Sequence, residues 1–293
     1  MSQLQQLTII GVGLIGGSFA LAAKKGGFAG KIVGCDADLV LEKALSMRVI
    51  DSAEPRPEQA IKGSDVVLLA TPVGAIIDLI ERVGPLLPQE TLLTDVGSTK
   101  AEIVRRAESV FGRQSRQRFL PGHPMAGKAH SGITHVDPDI FRGAVWIFTT
   151  PHSEALNSPG LAADFADLIR RIGARPITMD IARHDRLTGW ISHLPQMIST
   201  ALAAMLMDEF GNDPELQAIG GRALREMTRI AASPYSMWRD VAHTNTENLE
   251  DALLRLEQRL THLRENLRGP ALRDEFERGN AFRAEPEKNP PSK

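Results

Sequence analysis

The sequence predicts a doubly wound α/β sheet followed by an all-helical region, and three observations carry that prediction. Up to about Asp180, apolar runs of β type alternate with amphipathic stretches, the pattern of a parallel sheet wrapped by helices. The first junction between a strand and a helix is rich in glycine. From Arg183 onward the strand signal stops and long helical periodicities replace it.

The elements follow in order. LTII is a strand, Ser18 to Lys25 a helix, KIVGCD a second strand, and Leu39 to Met47 a second helix; DVVLLATP and TLLTDVG continue the series. GAVWIFTT and PITMD are expected to add strands to the same sheet. The resulting division is 1–180 for the sheet domain, 181–280 for the helical domain and 281–293 for a tail. That tail, AFRAEPEKNPPSK, is charged, bears prolines and is expected to be disordered. Leucines at 249, 253, 256, 260, 263 and 267 draw a narrow stripe down one helix face, which needs a partner helix from the same chain or from a second copy.

Composition excludes several classes. The 293 residues, 42% of them hydrophobic, suffice for two domains with proper cores. With 34 basic and 36 acidic side chains the net charge is -2, so no global field draws the protein to nucleic acid or to an anionic membrane, and a small soluble substrate is the expected partner. Cys35 is the single cysteine, which rules out an internal disulfide framework and a cysteine metal cluster, and fits a reducing compartment. The N-terminus lacks the layout of a secretory signal, and no run approaches the roughly 20 apolar residues of a membrane span. The expected location is the cytoplasm, with no metal.

Gly11, Gly13 and Gly16 form G-x-G-x-x-G directly after LTII and directly before a helix. In a Rossmann-type domain the first glycine permits the tight turn and the second admits a pyrophosphate. The third lets helix and strand pack closely, and the helix N-terminus then faces the phosphates. Asp36 closes KIVGCD about twenty residues after Gly16, where a carboxylate accepts hydrogen bonds from the ribose of an adenosine. The same carboxylate repels a 2'-phosphate, which favours NAD over NADP; Asp38 could share the role. Leu14 and Ile15 in the loop, with Thr71, Pro72 and Ser98 after later strands, complete the expected cofactor contacts.

TDVGSTK at 94–100 and PGHPMAGKAHSG at 121–132 both end predicted strands, so Ser98 and His123 should face the cofactor crevice. Removing hydride from a carbinol carbon needs a base for the hydroxyl proton, and a neutral imidazole is suited to that near pH 7. Of the other histidines, His130, His135, His152 and His262 lie in ordinary polar surroundings that predict solvation. His184 and His243 flank helix starts, as capping or surface groups. His193 in WISHLPQM sits among apolar neighbours, so it either lines a cleft or is a satisfied core histidine. Arg225, Arg229, Arg239 and Trp238 fall in ALREMTRIAASPYSMWRD; an arginine fork there could bind a carboxylate or form a solvated helix face.

IIGVGLIGGS, DVGSTK, GHPMAG, SHLPQ and TRIAASPYSMWRD, in this order over about Leu7 to Leu267, resemble the prephenate/arogenate dehydrogenase family of tyrosine biosynthesis. The chain looks like the compact form, without a fused mutase or regulatory domain. The resemblance implies NAD-dependent oxidative decarboxylation of a cyclohexadienyl acid. Hydride leaves the ring carbon bearing the hydroxyl, carbon dioxide leaves the opposite carbon, and aromatisation drives the reaction. It further implies that His123 hydrogen-bonds the ring hydroxyl, Ser98 orients histidine and nicotinamide, His193 lines the substrate pocket, Arg229 grips the ring carboxylate and Trp238 forms pocket wall. A homodimer built by the helical domain is implied too. Lys128, directly after GHPMAG, would attract the pyruvyl side chain of prephenate and repel the ammonium of arogenate.

Two other readings stay open on the residues alone. A β-hydroxyacid dehydrogenase would also join a glycine-fingerprint domain to a helical one, but the helical region lacks a G-x-x-x-N helix with its lysine. A non-catalytic NAD-binding sensor would not require His123 and Arg229 to converge on the nicotinamide.

Overall fold

The computed structural model describes residues 4–128 and 130–288. In chain order its elements are β1 (Gln6–Ile10), α1 (Leu14–Lys25), β2 (Lys31–Cys35), α2 (Asp38–Ser46), β3 (Ser52–Ala53), α3 (Pro57–Ala60), β4 (Val66–Leu69), α4 (Val73–Val83), β5 (Leu92–Asp95), α5 (Ala101–Phe111), α6 (Ser115–Arg118), β6 (Phe119–Leu120), β7 (Gly122–Pro124), β8 (Val145–Thr150), α7 (Leu161–Arg171) and β9 (Arg175–Asp180). Helices follow: α8 (Ile181–Thr188), α9 (Leu194–Phe210), α10 (Pro214–Ile219), α11 (Arg222–Thr228), α12 (Tyr235–Thr244), α13 (Thr246–Glu265) and α14 (Pro270–Lys288).

The first six strands make one parallel sheet in the order β3-β2-β1-β4-β5-β6. Its central strands are apolar on both faces because helices cover both, and Leu7, Ile9, Val66, Val67, Leu68 and Leu69 are all buried. The order reverses between β1 and β4, so a crevice opens beyond their carboxyl ends.

GAVWIFTT and PITMD form strands, but in a different sheet from the one expected. β8 and β9 pair in parallel with each other, and the short β7 joins β8 antiparallel, giving a separate sheet β7-β8-β9. Aromatic packing explains the separation: Trp146 lies 5.7 Å from Phe19 of α1 and 6.2 Å edge-on to Phe165 of α7. β8 therefore buries its face against α1 and α7 instead of extending the first sheet.

The change from strands to helices falls at Asp180 as expected, whereas packing divides the chain later, into Met1–Thr246 and Glu247–Lys293. Polar ties hold α8 to α12 within the first unit. Asp185 of α8 accepts from the start of α5, and Asp240 of α12 accepts from Gly74 N–H at 3.0 Å. Within the second unit, Arg259 of α13 pairs with Glu275 of α14 at 2.6 Å. The tail expected to be disordered from residue 281 is instead helical through Lys288, because α14 runs across it; 289–293 lie outside the described residues.

Gly16 fixes how α1 sits on β1. A Cβ there would lie 2.0 Å from the Gly11 carbonyl oxygen and 2.9 Å from Ile9. We predict that Gly16→Ala lowers the stability of the fold by about 2 kcal/mol, the overpacking strain exceeding the helix-propensity gain of about 1 kcal/mol. Urea unfolding monitored by tryptophan fluorescence checks it, and an unchanged midpoint would contradict the close approach.

Candidate active site

The glycine loop leaves β1 at the sheet reversal. Gly11 takes a positive φ of 98°, and a Cβ on it would meet the Ala70 carbonyl oxygen at 2.5 Å. Gly13 faces open space, with no atom within 4 Å of where its Cβ would stand, and it precedes α1 without a side-chain cap. The first N–H groups of α1 are thus left facing the crevice. Leu14 is buried and Ile15 half-buried in the first turn of α1. Asp36 leaves β2 beside the loop, where its carboxylate accepts from Val12 N–H at 2.7 Å and from Ala37 N–H at 2.7 Å. Asp38 instead opens α2 and is exposed. At the end of β4, Thr71 Oγ1 is buried and, among the described residues, has no hydrogen-bond partner; Pro72 follows it as the exposed N-cap of α4. An open backbone, an uncapped helix start, a ribose-height carboxylate and an orphan hydroxyl together suit a dinucleotide.

Next to this crevice, β7 carries His123, which is 9% exposed. Its Nδ1 lies 2.9 Å from Nε2 of His184, and His184 Nδ1 lies 2.8 Å from Oδ1 of Asp185. Asp185 also accepts Lys100 N–H at 2.8 Å and Ala101 N–H at 2.9 Å, so it caps α5 from a different helix. The Asp185 carbonyl accepts from Asn245 Nδ2 at 2.8 Å, and Asn245 in turn meets His193 Nδ1 at 3.1 Å. One short stretch of α8 therefore touches the partners of both histidines.

A second polar knot sets the backbone of His123. Lys100 Nζ pairs with Asp95 Oδ2 and donates to Gly122 O at 2.7 Å, while Asp95 Oδ1 accepts Gly122 N–H at 3.1 Å. Both side chains are fully buried. Burial pulls the Lys100 ammonium down and pushes the Asp95 carboxyl up, and the attraction between them opposes both shifts. Ser98 sits half-buried in the loop between these partners.

His193 ends a π-helical turn, Gly189–His193, between α8 and α9. Pro195 in the first turn of α9 has no N–H to continue the α pattern, which suits a shift in hydrogen bonding there. His193 is fully buried, its Nε2 has no partner among the described residues, and its ring meets Trp238 edge-on at 5.9 Å. Burial holds His123 well below the ordinary imidazole range and His193 down to about 4, so both rings are neutral at pH 7.

The remaining predicted residues stand outside this network. Arg229 is exposed at the start of a short 3-10 turn, Arg229–Ala232, and the next residue's carbonyl, Ile230 O, accepts from Gln196 of α9 at 2.8 Å. Lys128 pairs with Asp137 at 2.9 Å, which offsets its charge. Two histidine expectations are corrected. His184 is fully buried as the partner of His123, because Asp185 draws its ring inward. His152 is also fully buried, bonded to Ser115 Oγ at 2.9 Å under the aromatic edge of Phe119.

Asp185, Asn245, Lys100 and Asp95 were not anticipated. The adjacent pair His184-Asp185 and the lysine closing TDVGSTK were the available signals. The ties of Asp185 and Asn245 span 60 to 85 residues and those of Lys100 and Asp95 to Gly122 span 22 and 27, separations that local patterning does not report.

Residues 19–178 match the family model described as prephenate dehydrogenase, nucleotide-binding domain, and residues 180–279 match prephenate dehydrogenase, dimerization domain. The chain belongs to the prephenate dehydrogenase family. Its glycine loop precedes the matched segment, so that loop is assigned from its geometry. A prephenate dehydrogenase of Lactococcus lactis is 32% identical over 83% of this chain and 66% of its own length. The chain thus spans just under two thirds of that relative. Among solved structures, prephenate dehydrogenase from Aquifex aeolicus in complex with hydroxyphenyl propionate and NAD+ superposes with a TM-score of 0.81 at 29% identity, covering 97% of this chain and 96% of that one. Synechocystis arogenate dehydrogenase superposes with a TM-score of 0.75 at 26% identity, covering 96% and 99%.

Titration of His193 should be visible in folding. The unfolded chain binds its proton near the ordinary value of 6.5, whereas the folded chain resists until about 4. This contribution is therefore whole above pH 6.5 and is lost as the pH falls toward 4, by up to about 1.4 kcal/mol per pH unit. Urea midpoints at pH 7, 5.5 and 4.5 should fall less steeply for His193→Gln than for the unsubstituted protein. Parallel slopes would mean that His193 takes up its proton alike in both states.

Proposed function

We propose that this chain oxidatively decarboxylates prephenate to 4-hydroxyphenylpyruvate, with NAD+ as the oxidant. The observation that carries the reading is His123: a buried neutral imidazole, anchored on one nitrogen, beside a dinucleotide-type crevice in a chain of this family. When bound, NAD+ supplies the hydride acceptor. Gly11, Gly13, Leu14, Ile15 and Gly16 would hold its pyrophosphate end, Asp36 its ribose, and Thr71, Pro72 and Ser98 the inner half. The Asp36 carboxylate disfavours a 2'-phosphate.

His123 receives the hydrogen bond of the ring hydroxyl and takes its proton as the carbinol carbon becomes a carbonyl. Ser98 orients that hydroxyl. Arg229 binds the ring carboxylate until carbon dioxide departs, and the ring becomes aromatic. His193 and Trp238 form the pocket wall. Burial of His123 away from water keeps its ring neutral and strengthens each hydrogen bond it makes.

Prephenate is favoured over arogenate by the named relative and by the Aquifex structure. Lys128 adds to that preference by its charge, which the Asp137 pair reduces. The arogenate reading is supported by the Synechocystis likeness. The reading extends to a homodimer. Met205, Met207 and Phe210 of α9 are exposed at 62%, 55% and 49%, and α13 exposes Leu254 and Leu260, apolar surface that a second copy would cover. Among the described residues no helix is long and apolar enough to cross a membrane. With the thiol of Cys35 free, we place the protein in the reducing cytoplasm.

NADH formation with prephenate and with arogenate, each in NAD+ and NADP+, tests the reading. We expect turnover of prephenate with NAD+, and a loss on the order of 1000-fold in kcat for His123→Ala with dinucleotide binding retained. Faster arogenate turnover would reassign the substrate, and turnover of neither would favour a sensor. Lys128→Ala should weaken prephenate more than arogenate; equal effects would remove that residue as a discriminator.

A further inference from the structure

Asp185 accepts three hydrogen bonds through its carboxylate: Oδ1 from Lys100 N–H and from His184 Nδ1, and Oδ2 from Ala101 N–H. A carboxylate has no proton to give, so the His184 nitrogen facing it must donate. As an imidazole whose one proton is spent on Asp185, His184 presents a bare Nε2 to His123 Nδ1, 2.9 Å away. His123 must donate across that contact, which leaves the lone pair on its other nitrogen. The two rings meet edge to face, with centroids 5.1 Å apart, and both are buried, so neither can rotate freely to exchange partners.

We propose that His184 and Asp185 are positioning residues that fix the tautomer of His123, holding the proton on Nδ1 and the lone pair on Nε2, where a substrate hydroxyl can donate to it. The inference rests on the reading of His123 as the group that meets the substrate. It adds a direction to the chain Asp185–His184–His123: hydrogen bonds are donated from His123 toward Asp185, and the carboxylate at the far end sets that order. Asp185 does so from a fixed place, because its other two hydrogen bonds come from the backbone at the start of α5.

The nitrogen chemical shifts of the eight histidines, read by long-range proton–nitrogen correlation on the full-length protein, test this without substrate. His123→Gln identifies the signals of that ring. The expected result is a protonated Nδ1 and a bare Nε2 on His123 at pH 7. His184→Leu should abolish the single-tautomer signature and lower kcat on the order of 100-fold, with KM for prephenate within about threefold. His184→Gln, whose side-chain carbonyl can accept from Nδ1, should restore the signature and most of kcat. Two results overturn the proposal: a His123 proton on Nε2 in the unsubstituted protein, or a His184→Leu variant with the tautomer unchanged. A loss of kcat in both variants with an unchanged nitrogen signature would mean that His184 serves only packing. Failure of the unsubstituted protein to turn over either cyclohexadienyl acid would instead overturn the functional reading, and the nitrogen signature would still decide the tautomer.

Discussion

The carboxylate of Asp185 is the constraint on which the arrangement of the site depends. It has no solvent to fall back on, so every lone pair it turns inward needs a donor, and it finds them on two elements at once: the opening turn of α5 and the neighbouring ring of His184. Its backbone carbonyl adds a third tie through Asn245, from the far end of α12. A buried polar network of this kind is stable only when complete, since each member left unpaired costs more than a paired one contributes. That all-or-none character places α5, α8 and α12 in one register. It also gives His123 and His193 fixed positions although they lie on a strand and a π-turn 70 residues apart.

The nucleotide side obeys a different physics. There the controlling condition is absence of side chain: Gly16 brings α1 against β1, Gly11 passes the Ala70 carbonyl, and Gly13 leaves room outside. Asp36 holds the loop from β2 through Val12, and Asp240 reaches α4 immediately after Thr71 and Pro72. The helix carrying Trp238 is therefore tied to the rim of the same crevice that the glycines open. A shift of α12 would be felt at the start of α4 through that bond.

These two halves were unequally legible in the sequence. The glycine fingerprint, the strand alternation and the turn to helices at Asp180 are local signals with period and spacing, and they announce a parallel sheet; its order β3-β2-β1-β4-β5-β6 is seen only in the fold. His123 and Ser98 could be placed after strands by the same means, whereas the apolar neighbours of His193 left a cleft and a core position equally open. Which sheet β8 joins could not, because the choice depends on Trp146 packing among Phe19, Phe141 and Phe165, residues brought together only by the fold. His184 and His152 were misplaced for a related reason. Their flanking residues are polar or charged; Ser115 holds His152 from 37 residues away, and the Asp185 beside His184 is itself held inside by the start of α5, 84 and 85 residues away.

Charge and burial divide the labour among the site residues in a way that follows from their solvation. Arg229 is exposed, the setting in which the guanidinium proposed to bind the ring carboxylate would be open to an anion from solvent. His123 is buried and neutral, and a neutral ring in a dry setting can accept a proton without first losing one to water. Exchanging the two environments would defeat both: a buried, unpaired arginine would be expelled or need a counter-ion, and an exposed histidine would spend part of its time protonated near pH 7. The Lys100–Asp95 pair supplies what the buried half lacks. Its hydrogen bonds hold Gly122, and hence the strand bearing His123, while the pair adds no net charge to the site.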